Sequence, residues 1–202
     1  MAGKANFASI NAKILKSKRV QDLVFSMANT KFEEAKKQFM QEFNDHPVSV
    51  EIEGGAYASN SSGTLGGYGN LFSFLGFEAG SNPIGEISEA MNTMFSMEPP
   101  SALRNFLRSA FNLPRLSFVV RHPTISKLKK HSKLPWAFGG SWLSGIESGI
   151  PNFSQYLYED NSRFKTSRSK SGVEAEWSIR GASFQPTPYL TPIIQTFIAR
   201  IQ

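Results

Sequence analysis

The stretch RVQDLVFSMANTKFEEAKKQFMQEFND, residues 19–45, decides the fold. Within it Val20, Val24, Ala28, Phe32, Ala35, Phe39 and Phe43 recur at steps of four and three. That spacing gathers them on one face of a long amphipathic helix. Lys31, Glu33, Glu34, Lys36 and Lys37 fall mostly off the stripe and belong in water. Pro47 stops the helix, because its ring disfavours helical geometry at His46. The phenylalanine stripe reads as core in preference to a dedicated partner groove.

Downstream of this helix the pattern changes. Residues 48–53, Val-Ser-Val-Glu-Ile-Glu, alternate apolar and polar, which predicts a half-buried strand. On such a strand Glu51 and Glu53 share the solvated face. Residues 54–70 are rich in Gly and Ser and predict a long, conformationally free loop. The loop runs into the apolar knot Leu71-Phe-Ser-Phe-Leu-Gly-Phe77. A flexible tether before such a knot suggests a docking segment, received either by the domain's own core or by a neighbouring subunit.

Loose helical spacing covers Ile84 to Met97, and Pro99-Pro100 breaks it. Ser101 can cap a short helix over 102–111, ended by Pro114. Residues 116–121 read as a second strand, and residues 122–135 hold the cluster Lys127, Lys129, Lys130 and Lys133. Residues 141–149 read as a short helix carrying Trp142. Residues 153–158 and 173–180 read as two strands, and residues 193–201 as a terminal helix. The expected fold is α+β: a long N-terminal amphipathic helix and a C-terminal helix packed on a small antiparallel sheet with long loops. A basic arm, residues 1–18, precedes a single domain, 19–202, with the Gly/Ser loop 54–70 and a basic hairpin loop 159–172.

Charge is distributed unevenly. Residues 1–40 carry a balance of +5, residues 41–100 a balance of −8 with no Lys or Arg, and residues 101–202 a balance of +9. Faces of opposite sign suit head-to-tail contacts between identical subunits, unless folding interleaves the charges.

Several chemistries are poorly supported. The chain has no cysteine, which excludes disulfides and thiolate metal sites. His46, His122 and His131 have no metal-ligand spacing. The glycines of 54–70 lack the Gly-Lys-Ser/Thr ending that cradles phosphates. Ser141 follows Gly139-Gly140 but lacks the G-x-S-x-G elbow. No apolar run approaches the roughly 20 residues that cross a bilayer, and residues 1–19 lack the apolar core of a secretory signal. We therefore expect no enzyme, no cofactor, no metal and no membrane partner. The best remaining contact site is the basic loop with Arg163, Lys165, Arg168 and Lys170, which can meet nucleic-acid phosphates or an acidic protein face.

The order of parts resembles the head–tail interface proteins of tailed bacteriophages, the neck and tail-completion proteins. A long first helix is followed by a Gly-rich turn, here Gly54 to Gly69. A Pro-aromatic-Leu-x-Pro segment, here Pro188-Tyr-Leu-Thr-Pro192, opens the last helix. The family's Arg-bearing T-G-x-L-R segment has no counterpart, since this chain reads Ser-Gly-Thr-Leu-Gly at 62–66. The resemblance implies a virion structural protein, made in the host cytoplasm. It implies a ring, commonly of six or twelve copies, between portal and tail and around the DNA path. Partners would be copies of itself, neighbouring portal, neck or tail proteins, and DNA by non-specific contact. Leu71, Phe72, Phe74 and Phe77 are the expected subunit-interface anchor. The alternative expectation is a nucleic-acid-binding protein using residues 163–170.

Overall fold

The computed structural model describes residues 13–66, 69–99, 107–108, 114–135, 140–149, 157–159, 172–174 and 184–202. Helix α1, Lys18–Asp45, follows a short helical stretch over 13–16 and is set off from it by Ser17 in extended geometry. It buries Phe32, Ala35, Phe39 and Phe43, the C-terminal half of the stripe. The C-terminal helix α7, Leu190–Ile201, packs along that half and buries Leu190, Ile193 and Phe197. Phe39 and Phe197 meet edge to face at 5.9 Å, and Phe95 contacts them at 5.1 Å each. This ring cluster is the centre of the core.

His46 ends α1 in extended geometry, as a residue before proline should. The chain then enters a second helix, α2, Pro47–Glu53. This corrects the strand expected over 48–53. Pro47 occupies a first-turn position, where its missing N–H costs nothing, and the His46 Nδ1 accepts the Val48 N–H at 3.2 Å as the cap. Val48 and Ile52, one turn apart, then both face the core. A six-residue alternation fits either period, and the cap decides it.

The Gly/Ser segment is mostly turn and loop in its described part. A 3-10 turn covers Gly55–Tyr57, and Thr64 and Leu65 are buried. Asn70 caps α3, Leu71–Phe74, through Oδ1 to Ser73 N–H at 2.9 Å, and its amide donates to Ala56 O at 2.7 Å. Helix α4, Pro83–Met94, is capped by Asn82 and leads into β1, Ser96–Glu98.

The sheet elements are small. Strand β1 pairs antiparallel with β4, Val119–Arg121, and Met97 and Val120 of this ladder lie against α1 and α7. Strands β2, Leu107–Arg108, and β3, Pro114–Arg115, form a second pair. That pairing corrects the helix expected over 102–111 at Leu107 and Arg108, which are extended against Pro114–Arg115. The rest of that segment lies outside the described residues. Short helices α5, Ile125–Leu128, and α6, Trp142–Ser148, follow. Strands β5, Leu157–Glu159, and β6, Gly172–Glu174, pair antiparallel, giving the stem of the expected hairpin. The fold is α+β, with long N-terminal and C-terminal helices and small antiparallel ladders.

Candidate functional site

The apolar knot is not an exposed anchor. Leu71, Phe72, Phe74 and Phe77 are all buried in the chain's own core. Phe72 and Phe77 touch at 5.5 Å, and Phe77 meets Trp142 edge to face at 6.0 Å. Their assignment to a subunit interface is corrected accordingly: removing them from this core to face a neighbour would expose four large apolar groups. The alternative reading of the tethered knot, docking on the domain's own core, is the one realised.

What docks the knot is a carboxylate. Glu51 is buried, and its Oε1 accepts the Leu71 N–H at 2.7 Å. Its Oε2 accepts the Ser62 N–H at 2.9 Å and the Ser62 hydroxyl at 2.6 Å. Two donors from the loop and one from the first residue of α3 thus converge on one side chain of α2. The solvated role expected for Glu51 is overturned, whereas Glu53 is exposed.

A second polar node joins α1, α2 and α7. The Ser49 hydroxyl lies 2.6 Å from the Tyr189 hydroxyl and donates to Phe43 O. The His46 ring lies against Tyr189 at 4.7 Å. Burial lowers the His46 pKa from its ordinary value, partly offset by a hydrogen bond to the Pro188 backbone. Burial also pushes the Tyr189 phenol well above its usual range, keeping it neutral. An open groove of about 580 Å3 runs beside His46, between Gln38, Gln41 and Glu42 of α1 and Pro192 and Thr196 of α7. The Nδ1 of His46 is already engaged by the Val48 N–H.

The exposed apolar groups lie elsewhere. On the N-terminal half of α1, Leu23 is 62% exposed and Met27 67% exposed. They are one turn apart and project from the side opposite Phe32, Phe39 and Phe43. Helix α7 has 12 residues against 28 in α1, so α7 cannot cover the whole of its partner. The signal for this second face was present in the sequence as Leu23 and Met27, off the main stripe.

Arg163, Lys165, Arg168 and Lys170 lie outside the described residues. The other basic cluster is placed: Lys127, Lys129, Lys130 and Lys133 are all exposed around α5 and the 3-10 turn Lys129–His131. Lys130, His131 and Lys133 share a cleft of about 330 Å3 with Glu86 of α4. Acidic and basic thirds therefore meet within one chain here, and segregation along the sequence does not carry over intact to the surface. Among the described residues, no group of three or more His, Asp or Glu is placed to hold a metal ion, and no helix is long and apolar enough to cross a membrane. The chain matches no protein-family model, no characterised protein and no solved structure.

Proposed function

We propose that this protein acts through its surfaces as a virion structural component, a ring-forming part of the phage neck or tail-completion region that joins head to tail. The observation that carries the assembly reading is the outer face of α1. Large apolar side chains at Leu23 and Met27 stand in water on a helix whose opposite side is already committed to the core. Contiguous exposed apolar surface marks protein contacts, and Leu23 and Met27 stand one turn apart on the same face. The placement in a phage neck rests on the order of parts: a long first helix, a Gly-rich turn and the Pro-Tyr-Leu-Thr-Pro opening of the last helix. A non-catalytic role is supported by what the polar nodes do. The Glu51 carboxylate is occupied by three donors, and His46, Ser49 and Tyr189 hold helix ends together.

Electron microscopy of particles assembled with an affinity-tagged chain tests the placement. Tag density at the head–tail junction is the expected result. Particles that lack the chain while it remains free in the lysate would contradict it.

A further inference from the structure

We infer that the segment from Lys127 to Lys133 is a rigid cationic knuckle that grips the phosphate backbone of duplex nucleic acid without reading sequence. This inference stands apart from ring formation and from the 163–170 loop, and it rests on three observations.

The first is the charge. Residues 99–146 contain eight Lys or Arg and no Asp or Glu. Lys127, Lys129, Lys130 and Lys133 are exposed, and none of them forms an ion pair among the described residues. The second is rigidity. Thr124 caps α5, Leu128 is fully buried beneath it, and the Ser132 hydroxyl bonds Leu128 O at 3.0 Å and the Ser141 hydroxyl at 2.7 Å. Trp142 N–H donates to Ser132 O at 2.8 Å, and Leu134 N–H to Gly140 O at 3.0 Å. The backbone that carries the four lysines is therefore pinned on both sides of the turn. Lysines three residues apart on a helical turn lie about 5–6 Å apart at Cβ, and their long stems can reach successive phosphates of one strand.

The third is the chemistry of the surroundings, which selects the partner. Among the described residues, none of the large exposed hydrophobic side chains lies on the knuckle, so a protein partner would find no apolar anchor there of the kind interfaces need. Among the described residues, the aromatic groups Phe77 and Trp142 that line its cleft are buried, and His131 is an exposed ring on the knuckle itself. Among the described residues of the knuckle, unstacked bases would find a single ring, His131, which gives a single strand little to stack on. Phosphates arrayed on a duplex need neither. Glu86, which lines the same cleft as Lys130 and Lys133, would repel phosphate entering that cleft.

The test is fluorescence anisotropy of the full chain with a random-sequence 30-base-pair duplex across a salt series. Four phosphate contacts give a slope of log K against log salt of about −3.6. Lys127→Ser with Lys130→Ser should flatten that slope by about 1.8, and Lys129→Gln with Lys133→Gln should do the same. Glu86→Gln should tighten binding. Circular dichroism confirms that each variant is folded, as exposed positions allow. The inference is overturned by any of several results: no duplex binding at low salt, tighter binding to the single strand, or a slope unchanged by both lysine variants. It is also overturned if only polyglutamate, standing in for an acidic protein, is bound.

Discussion

A carboxylate removed from water must have its charge met by donors, because an unpaired buried charge costs several kcal/mol. At Glu51 the donors are Ser62 and Leu71, eleven and twenty residues further along. Glu51→Gln should destabilise the fold by about 2–3 kcal/mol, since hydrogen bonds to charged groups exceed neutral ones. Amide exchange at Ser62 and Leu71 should accelerate with it, and an unchanged denaturation midpoint would remove the role. His46 supplies a pH dependence. Its folded-state pKa lies below the ordinary value of 6.5, so the unfolded chain binds the proton more readily. The stability it contributes is complete above that value and is lost as pH falls below it. Protonation also takes the Nδ1 lone pair from the Val48 N–H. His46→Asn retains a capping side chain and should flatten the stability profile of chemical denaturation just below pH 6.5. Neither residue's role was legible in the sequence. Glu51 sits in an alternating run that reads as a wetted strand face, and its donors lie in a segment whose Gly and Ser suggest freedom. His46 reads only as a residue before proline, since the ring it packs against, Tyr189, lies far along the chain.

At the scale of elements, period and caps carry different amounts of information. The stripe from Val20 to Phe43 extends over enough turns that only a helix satisfies it, and α1 follows. Residues 48–53 are too few for period to decide, and the proline at the first turn with its His46 cap makes them helical. Helix α7 and the Trp142 helix were legible from their apolar spacing, with Pro192 in the first turn of α7 and Ser141 capping α6. The fate of the knot was not legible, since an apolar cluster has the same composition whether its own core or a neighbour receives it. The two sides of α1 should respond oppositely to truncation. Phe39→Ala empties the ring cluster and should cost about 3–5 kcal/mol, read as a lowered urea midpoint. Leu23→Ser on the outer face should change the midpoint by only about 0.5 kcal/mol or less. Equal losses at the two positions would mean that the outer face is packed in the free chain.

The molecule as a whole combines a closed core with an incompletely covered first helix. Its C-terminal half is sheathed by α7, by Phe95 and by the β1–β4 ladder. Its N-terminal half carries Leu23 and Met27 into solvent. The acidic and basic thirds of the sequence meet at the cleft between α4 and the lysine knuckle, so self-association governed by α1 should depend more on apolar contact than on salt. The charge blocks were plain in the sequence, but their meeting depends on long-range packing of α4 against residues 125–133. The most direct test is multi-angle light scattering during size-exclusion chromatography of the full chain over a range of concentrations, beside a Leu23→Ser, Met27→Ser variant of matched stability. The account predicts an oligomer for the unaltered chain that persists at high salt, and a monomer for the variant. A strictly monomeric unaltered chain at every concentration, or an oligomer equally stable in both, would contradict it.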